Sequence, residues 1–186
     1  GEQEKLPHFQ SVCADGVDLP IADAQLDLVC MIGSFEWMPT SWPNEDPETI
    51  HARVLSEVFR VLKPGGSLFL GIENHGGIVA EADSLLEIVR ATQSEWVGIN
   101  LDTGNFHTDD VYGDIARCVP HAVNVQLKVQ VQPRGAKQKS NADFDRLVKI
   151  LRDGGYRGFV ALEYEAATDP WIAVPKWLTK LKEAIG

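Results

Sequence analysis

The sequence lacks any long apolar run and any concentration of positive charge. None of its apolar stretches approaches the roughly 20 residues that a membrane-spanning helix needs, and the first residues, Gly1 to Lys5, lack the apolar core of a signal peptide. The 186 residues carry a formal net charge of −10, whereas nucleic acids and anionic membranes are bound by clustered cations. We therefore expect neither nucleic acid nor a membrane to be the main partner.

Cysteine is also scarce. Cys13, Cys30 and Cys118 are far apart in the chain, odd in number and set among apolar residues. This pattern favours buried, reduced thiols over disulfides or a metal site. Reduced thiols are typical of the cytosol, so we expect a cytoplasmic protein.

What the sequence does contain is a regular alternation of strand and helix patterns. Strands are predicted at residues 9–14, 26–32, 67–73, 97–101, 122–131 and 159–164, with helices between and after them. Buried strands that alternate with helices are typical of parallel sheets. The predicted fold class is therefore α/β: a parallel sheet of about six strands with βα repeats. A complete eight-stranded α/β barrel usually needs about 250 residues, so we expect only part of one.

Two of the predicted helices carry specific expectations about their ends and faces. Thr108 is expected to cap the helix that runs to Cys118, with acidic residues in its first turn. The last helix is expected to open at Asp169 and Pro170. Its inward stripe should consist of Trp171, Val174, Trp177, Leu178 and Leu181.

Three carboxylates stand at the carboxyl ends of predicted strands, namely Glu73, Asp102 and Glu163. If the strands are parallel neighbours, these side chains converge on one end of the sheet, where ligands bind in α/β folds. Carboxylates brought together repel one another, and a divalent cation with oxygen ligands is the simplest way to stabilise them. Mg²⁺, Mn²⁺ or Co²⁺ would suit such ligands. The alternative is that each acid only caps a helix or stays solvated.

Several motifs in the first part of the chain match a known enzyme family. They are Ala14-Asp15-Gly16, Leu26-Asp27-Leu28-Val29 and the run from Glu57 to Gly66 (EVFRVLKPGG). Residues 9–71 thereby resemble the C-terminal half of a class I S-adenosylmethionine-dependent methyltransferase. The resemblance implies a Rossmann-like βαβ unit, with Asp15 beside the adenine of the cofactor. The family's glycine-rich loop has no counterpart before Asp15, so we do not expect S-adenosylmethionine to bind.

Four further motifs follow successive predicted strands after residue 70. They are residues 72–77 (IENHGG), 101–105 (LDTGN), 125–128 (VQLK) and 155–165 (GYRGFVALEYE). Residues 70–186 thereby resemble the C-terminal half of the sugar phosphate isomerase/epimerase family, the xylose-isomerase-like TIM barrels. The resemblance implies the last four of the eight βα units of such a barrel.

The second resemblance also implies roles for particular residues. The family's metal ligands match Glu73, Asp102 and Glu163, and Gln126 stands where the family has a histidine. Glutamine can still ligate through its carbonyl oxygen, though more weakly, which leaves the identity of the metal open. The acids that match Glu73 and Glu163 also move a proton at a carbon beside a carbonyl group.

Four polar residues near these acids are predicted to contact the substrate. They are His75, Asn105, His107 and Lys128. Lys128 could hold a substrate oxygen or a phosphate. For the two histidines, the alternative is a solvated position in a loop.

The two resemblances together predict a chimera-like chain. Residues 1–71 form a Rossmann-like, methyltransferase-type segment and residues 72–186 a partial TIM barrel, joined in one compact domain. The leading hypothesis is a divalent-metal-dependent isomerase or epimerase of a small sugar or sugar phosphate. The alternatives are a natural or engineered fusion without preserved activity and the remnant of a methyltransferase. Six strands leave open sheet edges, which either a second copy of the chain or its own loops must cover.

Overall fold

A computed structural model describes residues 16–32 and 44–186 of the chain. The predicted strand at residues 9–14, Cys13 and Asp15 lie outside the described residues. The strands are β1 (Leu26–Ile32), β2 (Leu62–Glu73), β3 (Val97–Asp102), β4 (Ala122–Lys128), β5 (Gln130–Val131), β6 (Ser140–Asn141) and β7 (Val160–Glu163). The helices are α1 (Pro47–Val61), α2 (Ala82–Ala91), α3 (Val111–Cys118), α4 (Phe144–Asp153) and α5 (Pro170–Ile185), with short 3₁₀ turns at Gly77–Val79 and Val119–His121.

Residues 16–29 and 44–67 belong to a first compact unit, in which α1 separates the neighbouring strands β1 and β2. The helix begins after Asp46, whose carboxylate accepts a hydrogen bond from the Thr49 N–H at 3.0 Å. It buries four apolar side chains at helical spacing, which are Ile50, Val54, Val58 and Val61. The prediction that β2 begins only at residue 67 is wrong, because the backbone enters the strand at Leu62, directly after the helix.

Arg60 ties α1 to the connector that precedes β1. Its guanidinium donates hydrogen bonds to the carbonyl oxygens of Leu19 at 2.9 Å and Ile21 at 2.7 Å, and it pairs with Asp23 and Glu57. Glu57 in turn accepts the N–H of Leu19 at 3.0 Å. The hydrogen bond from Arg60 holds the pKa of Glu57 at about 2. Glu57 and Arg60, which lie in the methyltransferase-like motif, thus hold this connector in place.

The second compact unit contains residues 30–32 and 68–186. Its strands β2, β3, β4 and β7 are neighbours in that order, and each adjacent pair is parallel. Helices follow the strands along the chain, so the predicted parallel α/β sheet with βα repeats is confirmed. One face of the sheet packs apolar residues, including Ile99, Leu101, Val125 and Leu127, against apolar residues of α2 to α5. The opposite face carries polar side chains.

The predicted strand at residues 122–131 is interrupted. Its alternating apolar positions Val125, Leu127, Val129 and Val131 are buried. However, Gln130 and Val131 leave the main sheet and pair antiparallel with Ser140 and Asn141. The polar loop between these two short strands therefore folds back on itself as a hairpin.

The predicted cap of α3 is wrong. The helix begins after Asp110, whose carboxylate accepts the Gly113 N–H at 3.0 Å. Thr108 lies two residues earlier and is buried, and its hydroxyl oxygen has no hydrogen-bond partner. Asp110 replaces it because an aspartate accepts this bond at least as well as a threonine and stands two residues closer to the helix.

The predicted inward stripe of α5 is also partly wrong. The helix opens after Asp169 as expected, but Trp171 is 89% exposed and Leu178 is 39% exposed. The face toward the core is defined by Ala173, Trp177 and Leu181, spaced four residues apart. At about 100° per residue, Trp171 lies on the far side from Ala173 and Leu178 lies beside the stripe.

Cys118 is buried with a free thiol, as predicted, and burial raises its pKa to about 12. Among the helices in residues 16–32 and 44–186, none has both the length and the apolar character to cross a membrane. The cytoplasmic location stays a prediction.

Candidate functional site

The carboxyl ends of the parallel strands bring six polar side chains to one face of the second unit. Side chains alternate between faces along each strand, and parallel partners in register point to the same side. The six residues are cross-strand neighbours in three pairs: Glu73 with Asn100, Asp102 with Gln126, and Lys128 with Glu163. An irregularity in the β3–β4 register places Asn124 rather than Val123 opposite Asn100. This shift keeps the polar residues of β4 aligned with those of β3.

The ammonium group of Lys128 lies among the carboxylates at this end of the sheet. Its Nζ is 3.0 Å from Asp102 Oδ2, 3.6 Å from Glu163 Oε1 and 2.9 Å from Glu165 Oε2. It also donates a hydrogen bond to Asn105 Oδ1 at 2.9 Å. The Lys128 side chain is only 8% exposed. One buried cation is thus shared by three acids.

Asp102 is fixed from both its backbone and its side chain. Asn74, which is fully buried, donates to the Asp102 carbonyl oxygen at 2.9 Å and accepts the Asp102 N–H at 2.8 Å. The Asp102 Oδ1 atom accepts the Gly104 N–H at 2.7 Å. Its Oδ2 atom has no hydrogen bond of good geometry, although the Lys128 Nζ is close enough to balance its charge.

The residues after Asp102 position Lys128. Thr103 donates its N–H to the Gln126 carbonyl at 2.9 Å, and its hydroxyl accepts the Lys128 N–H at 3.0 Å. Gly104 lies directly against the lysine stem, since a Cβ atom there would be 2.6 Å from the Lys128 Cδ. Only glycine leaves room for the lysine side chain in this position.

Amide side chains connect the acids at the two outer strands of this group. The Asn100 side-chain amide donates hydrogen bonds to Glu73 Oε2 at 3.3 Å and to the side-chain oxygen Oε1 of Gln126. Gln126 donates to Glu163 Oε2 at 2.9 Å. Asn105 donates to Glu73 Oε1 at 3.3 Å. Because amides can both donate and accept, they orient these acids without adding charge.

The carboxyl groups of this site differ in their affinity for protons. Burial raises the pKa of Glu73, Asp102 and Glu163, because it disfavours the charged form of a carboxyl group. Repulsion between these neighbouring acids acts in the same direction, and the single ammonium of Lys128 does not offset it. The hydrogen bond from Lys128 lowers the pKa of the more exposed Glu165. For Lys128 itself, burial acts to lower the pKa, but the hydrogen bond to Glu165 and the charge of Asp102 outweigh it and raise the pKa.

A pocket of about 250 Å³ opens beside the acids. It is lined by His75, Gly76, Ala80, Glu81, Asn105 and His107. Three of the four predicted substrate residues therefore meet in one pocket, and the fourth, Lys128, reaches it through its hydrogen bond to Asn105. Asn105 also joins the pocket to Glu73.

Sequence reasoning missed the residues that support the predicted acids. They are Asn74, Asn100, Thr103, Gly104 and Glu165. Four of them lie inside the quoted motifs, and one of these, Glu165, lies two positions after Glu163, the spacing that returns a side chain to the same face of a strand. The remaining signal was Asn100, a polar residue within the otherwise apolar sequence of β3.

The donor chemistry of the site fits a divalent cation. Glu73, Asp102 and Glu163 offer carboxylate oxygens and Gln126 an amide oxygen, and such hard ligands suit Mg²⁺ or Mn²⁺. In the part of the chain that the structure describes, however, no three His, Cys, Asp or Glu side chains are arranged to hold a metal ion. The Lys128 ammonium lies beside both Asp102 and Glu163. It takes the position that a metal ion shared by these two acids would need.

Parallel strands followed by helices, with polar groups collected at the strand ends, define an α/β protein of the barrel type. The chain belongs to the xylose isomerase-like TIM barrel family, whose sequence model matches residues 22–181. The matched range includes all the predicted site residues from Glu73 to Glu163. It also includes most of the segment that resembles a methyltransferase. The predicted fusion of two families therefore stays a prediction.

Individual proteins match only parts of the chain. The 27-O-demethylrifamycin SV methyltransferase of Amycolatopsis mediterranei (strain S699) is 33% identical over 79 residues, which are 40% of this chain and 25% of that enzyme. The apo crystal structure of 3-keto-D-glucoside 4-epimerase, YcjR, from E. coli has a TM-score of 0.49 at 18% identity and covers 81% of this chain. A xylose isomerase domain protein from Planctomyces limnophilus has a TM-score of 0.45 at 17% identity and covers 76%. The chain spans 54% of the length of each of these two structures.

The role of Asn74 can be tested by truncation. Asn74→Ala leaves the buried N–H and carbonyl of Asp102 without partners, and each orphaned group costs about 1–3 kcal/mol. We expect the free energy of unfolding, measured by urea denaturation, to fall by about 2–5 kcal/mol. The matched control Asn141→Ala removes an exposed side chain and should change it by less than about 0.5 kcal/mol. Equal stability of the two variants would contradict this role.

Proposed function

We propose that the chain is a divalent-metal-dependent isomerase or epimerase that acts on a small sugar or sugar phosphate. One observation carries the proposal: in a member of the xylose isomerase-like family, oxygen donors lie at or near the carboxyl ends of four neighbouring parallel strands on one face. These donors are Glu73, Asp102, Gln126 and Glu163. The pocket of about 250 Å³ supplies polar side chains for a small polyol, and Asn105 connects it to Glu73.

The four strand-end residues would hold the metal. When bound, a divalent cation would polarise the carbonyl and hydroxyl oxygens of the substrate. Asn74 and Gly104 keep the Asp102 carboxylate pointed into the site, and Gln126 is held between Asn100 and Glu163. These bonds fix the directions in which Asp102 and Gln126 point. The acids must still draw together around a metal, since the described side chains are not yet arranged to hold one.

Glu73 and Glu163 would transfer the proton. Their pKa values are raised by burial, which brings a carboxyl group closer to the range in which it can both accept and donate a proton. They lie on β2 and β7, with β3 and β4 between them. A substrate above these strand ends could therefore lose the proton beside its carbonyl to one acid. It would regain a proton from the other.

Within this substrate class, the charges favour a neutral sugar over a phosphate. Lys128 is already paired with Asp102, Glu163 and Glu165. Glu81, which lines the pocket, is paired with Arg134. A phosphate dianion would meet surplus negative charge there, whereas sugar hydroxyls could hydrogen-bond to Asn105 and the pocket histidines.

Metal binding is tested by thermal unfolding. A hundredfold excess of Mn²⁺ over its Kd stabilises the folded state by about 2.7 kcal/mol, so the Tm should rise by about 5–10 °C relative to EDTA. Glu163→Gln should remove most of this rise, and Glu87→Gln, an exposed glutamate on α2, should leave it intact. Protons compete with the metal for acids of raised pKa, so the rise should be smaller at about pH 5 than at about pH 7.5. An identical Tm in Mn²⁺ and EDTA would contradict metal binding.

Proton transfer is tested by isotope exchange. Small ketoses incubated with the Mn²⁺-loaded protein in D₂O should gain deuterium at the carbon beside the carbonyl, which ¹H NMR detects. Glu73→Gln and Glu163→Gln should each slow this exchange by about 10²–10⁴-fold, the usual contribution of a general acid or base. Glu87→Gln is again the control. Exchange that continues unchanged in both variants would contradict the assigned roles.

A further inference from the structure

The proposed function does not explain the position of the Lys128 ammonium group. A lysine that only contacted substrate would extend its ammonium toward the pocket. Here the ammonium is withdrawn among Asp102, Glu163 and Glu165, within 3.6 Å of an oxygen of each. The arrangement has the form of a cation surrounded by oxygen ligands, with the amide oxygen of Asn105 as a fourth.

Two of those oxygens belong to acids that would also bind the metal. Asp102 is fully buried, and its Oδ2 atom has no hydrogen bond of good geometry. The nearby ammonium is therefore what balances its charge. A divalent cation bound by Asp102 and Glu163 would compete with the Lys128 Nζ for the same oxygens, and two cations so close together repel each other strongly.

The backbone and carbon chain of Lys128 are fixed, whereas its ammonium group has partners other than the two proposed metal ligands. Gly104 packs against the Lys128 Cδ, and Thr103 binds the Lys128 N–H. By contrast, the Nζ also contacts Glu165, whose side chain is 54% exposed, and donates a hydrogen bond to Asn105. The ammonium could leave Asp102 and keep these two partners.

We propose that Lys128 is an internal counter-ion that neutralises the carboxylates in the metal-free protein and is displaced when a divalent cation binds. This inference rests on the proposed metal site and adds a competing residue to it. The lysine lets the metal-free chain fold without several uncompensated buried charges. The need to displace it weakens metal binding, and the displaced ammonium keeps Glu165 and Asn105 as partners.

The proposal is tested by removing the charge and measuring metal affinity. Lys128→Met keeps most of the side-chain volume and abolishes the ammonium. By isothermal titration calorimetry at about pH 8, we expect it to bind Mn²⁺ at least about tenfold more tightly than the original chain, because the competing charge is gone. Lys149→Met, which removes an exposed lysine of α4, is the matched control and should not change the affinity. Equal or weaker binding by Lys128→Met would overturn the proposal.

A second measurement needs no variant at this position. In the metal-free protein, Lys128 should react with formaldehyde and a borohydride reagent several-fold more slowly than the exposed Lys149, as followed by mass spectrometry. Saturating Mn²⁺ should raise the rate at Lys128 several-fold and leave Lys149 unchanged. Bound Mn²⁺ with unchanged protection of Lys128 would overturn the proposal while the metal site survives. Absence of Mn²⁺ binding to either the original chain or Lys128→Met would overturn both.

Discussion

The packing of several acids around one buried ammonium is the constraint on which the site depends. Parallel strands in register deliver side chains to one end of the sheet whatever their charge, so the acids that end β2, β3 and β7 lie close together, with β4 between β3 and β7. Lys128 projects from the same face. Among the described residues, its ammonium is the one cationic group that pairs with Asp102. The amides, the glycine and the threonine around them hold this arrangement in one geometry.

The same constraint connects folding to chemistry. Burying Asp102 is unfavourable unless it is paired, and the pairing in turn requires Gly104 to leave room for the lysine stem. Burial also raises the pKa of Glu73 and Glu163, which is useful for acids that exchange protons with a substrate. Features that cost stability are therefore the ones on which the proposed proton transfer and the proposed metal site depend.

Much of the second unit could be predicted from the sequence because its signals are local. Apolar runs indicated β3 and β4, alternation separated the two faces of β4, and capping residues such as Asp169 marked helix starts. The positions of Glu73, Asp102 and Glu163 followed from the rule that parallel strands end on one side. What could not be predicted depends on partners distant in the chain: the place of Lys128 among the acids, the bonds of Asn74 to Asp102, and the side of α5 that faces the core. The methyltransferase-like motif shows the same limit, since the pairing of Arg60 with carbonyl groups of the connector is invisible in its sequence.

The most direct test is a pair of crystal structures of the chain, one grown in EDTA and one soaked in Mn²⁺, with anomalous diffraction data. The account predicts that the first has the Lys128 Nζ beside Asp102 and Glu163. In the second, it predicts an anomalous peak bounded by oxygens of Glu73, Asp102, Gln126 and Glu163, with the Nζ moved toward Glu165. A soaked crystal with no anomalous peak at these strand ends and the Nζ still beside Asp102 would contradict it.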